Sequence, residues 1–348
     1  MATEATKPRE ALLQEPLAEG KVRCGVCQRR CVILPGQVGY CRTRVNDAGR
    51  LHSLTYGQVA SIAVSPIEKK PLFHYYAGSE WLSLGSLGCN FRCPGCQNWE
   101  IAHAESVHAP PGTNYLSPQD AVRLARSSNC LGVSWTYNEP TLWLEYTLDS
   151  IRCARENGLL TNYVTNGFAT LEALDLLGPG LDSFRADVKG FSQATYRRIG
   201  HVADFTGILE VIARAKHHWG MHVEIVTNVI PTYNDSRDEL RRLADWIARA
   251  LGRDTPWHVT RFVPHLHLSH LPPTPVTTLE QARSIGLEAG LRYVYLGNVH
   301  GHPAENTWCH SCGELLIERR GMSINHNRLQ GNLCPACDAR IPGRWAPP

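Results

Sequence analysis

Thirteen cysteines constrain this chain more than any other feature, because eleven of them fall into three tight groups. Cys24, Cys27, Cys31 and Cys41 lie near the start, Cys89, Cys93 and Cys96 follow, and Cys309, Cys312, Cys334 and Cys337 lie near the end. An odd total cannot close as a disulfide framework. The first twenty residues mix Glu4, Lys7, Arg9, Glu10 and Glu15 with prolines and carry no apolar run, so no signal peptide is expected. No apolar run approaches the length of a membrane span. A cytoplasmic chain is expected, in a compartment that keeps thiols reduced, where grouped cysteines hold metal more often than they pair. Cys130 and Cys153 stand alone and are expected to be buried as small apolar residues.

The 348 residues, 43% hydrophobic and 19% charged, suffice for a full core with small modules at its ends. A net charge of +3 from 35 basic and 32 acidic residues makes no single-sign field, which argues against a nucleic acid or a membrane surface as partner. Short β-rich runs alternate with capped helical patterns, the mark of βα units around a parallel sheet or barrel. Strands are predicted at 81–86, 132–137, 159–165, 182–188, 221–229 and 258–263, with a last one at 293–296. Ser117 before Pro118, Ser236 with Glu239, and Thr278 with Gln281 predict helix starts, and a helix is predicted at 142–156. The Pro-rich passages 109–112 and 271–275 read as surface loops. The expected division is a cysteine-bearing segment over 1–75, a core over 76–300 and a zinc-ribbon-like module over 301–348.

Cys89-Asn-Phe-Arg-Cys93-Pro-Gly-Cys96 follows the first predicted strand, which puts three thiols on a loop at that strand's C-terminal end. Three thiolates ligate three irons of a 4Fe-4S cube and leave the fourth open to an exchangeable ligand. A structural zinc loop is the competing reading, but zinc takes four ligands and the nearest further candidate is His103.

Cys-x3-Cys-x2-Cys after a first strand resembles the signature of the radical S-adenosylmethionine (SAM) superfamily. The run over 89–101, with Thr136-Tyr137-Asn138-Glu139-Pro140 and the final Ile341-Pro342-Gly343, more closely resembles the radical SAM enzyme of the AmmeMemoRadiSam system. Those enzymes are similar to pyruvate formate-lyase activating enzymes. The resemblance implies an α/β fold, a partial (β/α)6 TIM-like barrel, with SAM across its mouth and one-electron reduction of the cluster. It implies an electron donor such as flavodoxin or ferredoxin, and makes Memo-type or AMMECR1-type proteins candidate partners. One position departs from the pattern: the residue before the last cluster cysteine is usually aromatic, and here it is Gly95. Trp99 or Tyr137 is the nearby ring that would face the adenine in its place, unless backbone groups hold the base alone.

Functional residues of βα barrels gather at the C-terminal ends of the strands. By resemblance, Asn138 and Glu139 after the second strand, Asn166 after the third, Asp187 and Lys189 after the fourth, and His258 on the sixth are SAM contacts. Arg261 is the candidate catalytic residue, its fork suited to a substrate or SAM carboxylate or to a buried ion pair. Read one by one, Asp187 with Lys189 is equally an ordinary ion pair, Asn166-Gly167 a helix-entry turn, and His258 a structural histidine.

Cys309-x2-Cys312 and Cys334-x2-Cys337 have the spacing of a four-thiolate zinc ribbon, and zinc is expected there. Cys24-x2-Cys27-x3-Cys31 with Cys41 supplies four thiolates to either zinc or a second cluster. The leading function is an enzyme that cleaves SAM reductively and takes a hydrogen atom from a substrate, a partner protein among the candidates. The alternative is a zinc-ribbon nucleic-acid-binding or RNA-modifying protein, but the ribbon segment offers only Arg319-Arg320 as a basic run.

Overall fold

The computed structural model describes residues 8–104 and 113–346, so the Pro-rich passage 109–112 lies outside the described residues. Its centre is an eight-stranded sheet formed by β1 (Ser61–Pro66), β2 (Glu80–Gly85), β3 (Gly132–Trp135), β4 (Leu160–Thr165), β5 (Ser183–Asp187), β6 (His222–Val229), β7 (Trp257–Arg261) and β8 (Val294–Gly297). The strands lie side by side in chain order. β1 runs antiparallel to β2, and each later neighbour pair is parallel. Parallel neighbours need crossovers, supplied by α1 (Pro118–Ser127), α2 (Leu144–Glu156), α3 (Leu171–Leu177), α4 (Gln193–Ile199) with α5 (Thr206–His217), α6 (Arg237–Trp246) and α7 (Val276–Glu288). β3 is buried at all four positions, the pattern of a strand covered on both faces. Cys130 and Cys153 are buried in the same core.

Two of the predicted helix starts are made as expected. Ser117 Oγ accepts the Asp120 N–H at 3.1 Å, and Ser236 Oγ accepts the Glu239 N–H at 3.3 Å. The third is not: α7 begins at Val276, two residues before Thr278, with Pro275 at its cap. Pro275 has its φ preset for such an entry, so the chain turns helical before the hydroxyl is reached. The sheet also begins earlier than the expected boundary at 75/76, because β1 comes from the preceding segment; its alternating half-exposed pattern is that of an edge strand. The short helices α3 and α4 have no counterpart in the sequence reading; at seven residues each they hold too few turns to show a period.

Small antiparallel sheets flank the barrel. Arg9–Glu10, Arg50–Ser53 and Arg44–Asp47 form one, and Gln14–Pro16, Val22–Cys24 and Val32–Ile33 another. A third, at the end of the chain, joins Thr307–Trp308, Leu315–Arg320 and Ser323–Asn327. The first module is pinned to the barrel by a buried pair in which both terminal nitrogens of Arg44 reach the Glu145 carboxylate on α2, at 2.9 and 3.0 Å. It is also tied to the loop after β4, where Thr170 Oγ1 donates to the Gly25 carbonyl at 2.6 Å.

The terminal module seals the opposite end, where the strands begin. Buried Glu224 of β6 accepts the N–H groups of Phe73 and His74 at 3.0 and 2.8 Å and faces His222 at 2.9 Å and His258 at 2.6 Å. His74 Nδ1 lies 2.6 Å from the Pro342 carbonyl, an acceptor only, so Nδ1 carries the proton and Nε2 accepts from the Tyr295 hydroxyl at 2.6 Å. Burial pushes the His74 pKa down to about 4, against the pull of Glu224 and the Pro342 carbonyl. An unfolded histidine protonates near 6.5. The contribution of His74 is therefore complete above that pH and is lost as pH falls toward 4. Glu224, held well below its ordinary range by His222 and His258 despite burial, stays ionised throughout that window. From pH 7 to pH 5 the loss at His74 amounts to about 2 kcal/mol. Urea unfolding at both pH values should show it, and His74→Asn should show a pH dependence smaller by that amount; an unchanged difference would rule the linkage out.

Candidate active site

β2 ends at Gly85, and the loop beyond it carries Cys89, Cys93 and Cys96 before the short helix Trp99–Ala102. The loop is held by its own backbone and by one arginine. Gly88 N–H donates to the Ile101 carbonyl at 2.8 Å, and Phe91 N–H to Cys89 Sγ at 3.4 Å. Arg92 donates to the carbonyls of Cys89, Phe91 and Tyr40 at 2.8, 3.1 and 3.0 Å. Among the described residues, the one group of three or more potential ligands whose donor atoms all lie within 4.8 Å of one another is Cys309, Cys312, Cys334 and Cys337. The three thiols near β2 are thus spread wider than the shell of a single ion, and His103 is not gathered with them.

The surroundings of these thiols suit a bound cationic cluster. Burial pushes Cys89 well above its ordinary pKa, with Glu139 adding to the rise, and burial raises Cys93 to about 11 against the pull of Lys189. Buried thiols become thiolates readily only when a cation takes the proton's place. Ser86 Oγ, buried on the same loop, has no hydrogen-bond partner among the described residues, which leaves an acceptor and donor for a ligand at the mouth. Donor type, spread and position therefore fit a 4Fe-4S cluster with one iron left to SAM.

The strand ends build the rest of the mouth. Glu139 is 1% exposed and accepts from Thr141 N–H at 3.1 Å, Thr165 Oγ1 at 2.8 Å and Asn166 N–H at 2.8 Å. Burial raises its pKa against those bonds. Its carboxylate thereby ties the end of β3 to the end of β4. Asn138 clamps the other side, accepting from Ser86 N–H at 3.1 Å and donating to the Gly88 carbonyl at 2.9 Å. Asn166 Nδ2 donates to Asn90 Oδ1 at 2.8 Å. Asp187 lies 2.7 Å from Arg185 and 3.5 Å from Lys189, which hold it below its ordinary pKa although burial works to raise it. Burial pulls Lys189 down, but Asp187 and the thiols of Cys93 and Cys96 more than offset this, so its ammonium is retained beside the cluster loop.

Tyr137 has φ +76°, a left-handed conformation unusual for a bulky residue and the kind of strain that concentrates at functional sites. Its ring lies over Gly85, where a Cβ would come within 2.9 Å of Tyr137 Cδ2. Gly95 has a steric cause: a Cβ there would meet Phe262 Cε2 at 3.0 Å and Leu268 Cδ1 at 3.1 Å. Side chains from beyond β7 occupy the space that an aromatic residue would need. Trp99 is 42% exposed.

Glu139, Asn138, Asn166, Asp187 and Lys189 are thus gathered around the three thiols. Arg261 stands at the end of β7, its Nε donating to the Thr274 carbonyl at 2.9 Å. His258 is not part of this group. It is three residues nearer the start of β7, about 10 Å along the strand, bonded to Glu224 and stacked on Tyr295 at 5.1 Å. An inward-facing residue that early in a strand meets the sealed end of the barrel. Asn90 and Arg92 went unnoticed in the sequence although they stand inside the cysteine motif. Phe262 and Leu268 carried no signal there, since only folding brings them to Gly95.

In the terminal module Cys309 Sγ and Cys337 Sγ are 3.7 Å apart, as are Cys312 Sγ and Cys334 Sγ. Four thiolates at about 2.3 Å from one zinc would be separated by about 3.8 Å. The group is dimensioned for a single tetrahedral ion.

The chain is similar to several known proteins. An uncharacterized protein of Methanocaldococcus jannaschii is 43% identical over 335 residues, spanning 96% of this chain and 98% of its own. Among solved structures, a domain of a pyruvate-formate lyase-activating enzyme from Bacteroides vulgatus is 16% identical, with a TM-score of 0.41 over 48% of this chain and 99% of its own. A radical SAM methyltransferase from Sphaerobacter thermophilus is 14% identical, with a TM-score of 0.49 over 64% of this chain and 68% of its own. The model of the Radical SAM superfamily matches residues 84–247, which contain the three cysteines and the strand ends around them. With that match and that site, the chain is an enzyme that belongs to the radical SAM superfamily.

Proposed function

We propose that this enzyme cleaves SAM reductively and removes a hydrogen atom from a partner protein, in the manner of an activating enzyme. The supporting observation is the set of three thiols on the loop after β2, beside Glu139, Asn166 and Lys189, which follow β3, β4 and β5. A cluster held by Cys89, Cys93 and Cys96 would supply the one electron needed to split SAM into methionine and a 5′-deoxyadenosyl radical, which would become 5′-deoxyadenosine by taking a hydrogen atom from the substrate. The chain's own residues supply position and charge. Cys89, Cys93 and Cys96 hold the cluster; Glu139 and Asn138 fix the loop and strand ends against which SAM lies; Lys189, kept charged by Asp187, faces the SAM carboxylate; Arg261 at the edge receives an anionic group of the substrate. Asn166 spaces Glu139 from the cluster loop, and Tyr137 offers the ring for the adenine.

The electron comes from a donor such as flavodoxin or ferredoxin. Memo-type or AMMECR1-type proteins are the candidate partners by resemblance, zinc is the proposed ion of Cys309, Cys312, Cys334 and Cys337, and the cytoplasm is the proposed location. Among the described residues no helix is long and apolar enough to cross a membrane. The chain prepared without oxygen, reconstituted with iron and sulfide and given dithionite and SAM, should form 5′-deoxyadenosine and methionine, and SAM should alter the paramagnetic spectrum of the reduced cluster. Intact SAM and an unaltered spectrum would refute the reading. Lys189→Met should raise the SAM concentration for half-maximal rate roughly 10- to 100-fold, the value of one charge-assisted hydrogen bond. An unchanged requirement would remove Lys189 from the SAM site.

A further inference from the structure

We propose that Cys24, Cys27, Cys31 and Cys41 hold a second iron–sulfur cluster, closed by four thiolates, that carries electrons to the cluster at Cys89, Cys93 and Cys96. The four thiols line a single small cavity, together with Arg29, Ile33, Gly39, Arg44, Asn90 and Leu142. The terminal module shows how this chain prepares a one-ion site, with paired sulfurs 3.7 Å apart. The first module is built differently: its four cysteines line one cavity, yet they are not gathered into a group whose sulfurs all lie within 4.8 Å of one another. Thiols that surround a space without closing on its centre match a body of several atoms.

Two buried donors make the same point independently. Asn90 is 0% exposed and Arg44 is 1% exposed, and both line the cavity. Asn90 Nδ2 and Arg44 Nε have no hydrogen-bond partner among the described residues. A buried N–H left unsatisfied costs about 1–3 kcal/mol. Cluster sulfides and thiolates are the acceptors this cavity lacks, and N–H donors to sulfur are a means of setting a cluster's potential. The guanidinium of Arg29 in the wall offsets part of the negative charge that four thiolates bring to such a centre, while that of Arg44 is paired with Glu145.

The cavity adjoins the other cysteine loop. Asn90 is the residue after Cys89, and its carbonyl accepts from Arg29 Nε at 2.6 Å. A Cβ on Gly88 would lie 2.6 Å from the Cys41 carbonyl, so the backbones of the two loops are in contact. Four thiolates leave no iron open to substrate, which restricts this cluster to electron transfer. It accepts one electron from a reduced flavodoxin- or ferredoxin-type protein and gives it up to the neighbouring cluster, with no bond made or broken. That relay rests on the reading above of Cys89, Cys93 and Cys96; the identity of the second cluster does not.

The test uses the full chain with Cys89, Cys93 and Cys96 all changed to alanine, reconstituted without oxygen. About four irons and as many sulfides should remain per chain, with zinc in the terminal module, and the spectrum of the reduced protein should be unaffected by SAM. Iron without sulfide, or a second zinc in its place, overturns the proposal. If that variant does not fold, the chain with Cys24→Ser and Cys31→Ser answers the question. Its iron should be about half that of the unaltered chain and its remaining signal should still respond to SAM; an unaltered iron content overturns the proposal. Failure of the SAM chemistry would show in the unaltered chain as intact SAM and leave the iron count of the triple variant untouched.

Discussion

Cys96→Ala abolishes SAM cleavage, lowering the yield of 5′-deoxyadenosine at least about a thousandfold, a loss of the size seen when one member of a group that acts as a unit is removed. The three thiols belong to one loop whose shape is set outside the sulfurs, by Arg92 on the carbonyls of Cys89, Phe91 and Tyr40 and by Gly88 on Ile101. Taking away one sulfur therefore leaves the loop in place while the cluster loses a ligand that nothing nearby replaces. The substitution is far in the chain from Cys309, Cys312, Cys334 and Cys337, whose metal content should be unchanged. That second reading separates loss of chemistry from loss of fold. Cleavage that persists in Cys96→Ala would refute the assignment of the site.

Arg319→Ala destabilises the folded chain by about 3–5 kcal/mol, the usual cost of removing one partner of a buried pair. Arg319 and Glu68 both have fully buried side chains, 3.7 Å apart. The guanidinium also donates to Thr307 Oγ1 at 2.7 Å and to the Phe73 carbonyl at 2.9 Å, and lies over the Phe73 ring at 4.1 Å. Glu68, whose pKa burial raises while Arg319 lowers it, would be left as a carboxylate without its cation. The loss is to be read from urea or thermal unfolding of the metal-loaded chain. Arg319→Met with Glu68→Gln should recover part of it, since glutamine keeps an oxygen for the Gly78 N–H, which Glu68 accepts at 3.0 Å. A single variant within 1 kcal/mol of the unaltered chain, on the order of an exposed ion pair, would show that the terminal module does not depend on this contact.

Local interactions account for what could be read without the structure. Cys89, Cys93 and Cys96 fall within eight residues, so their loop is a near-neighbour matter, and Ser117 and Ser236 cap their helices through bonds spanning three residues. The strands lie side by side in chain order because consecutive βα units place each strand beside the last. His258 shows the limit. The resemblance alone made this histidine a SAM contact, but its level in the sheet depends on the register of β7 against β6 and β8, where it stands beside Val226 and Tyr295. Gly95 shows it too: the reason for glycine is Phe262 and Leu268, more than 160 residues away.

The sequence by itself determined the chemistry of this protein, because cysteine spacing, strand alternation and helix caps are set by residues a few positions apart. Only the tertiary structure decided which polar groups share the mouth, that Glu224 draws His222 and His258 to the opposite end, and that the cysteine loop of the first module lies against the loop of Cys89. Those relations join segments separated by tens to hundreds of residues. Their energies come from burial and from satisfying buried polar groups, and neither exists until the chain has closed on itself.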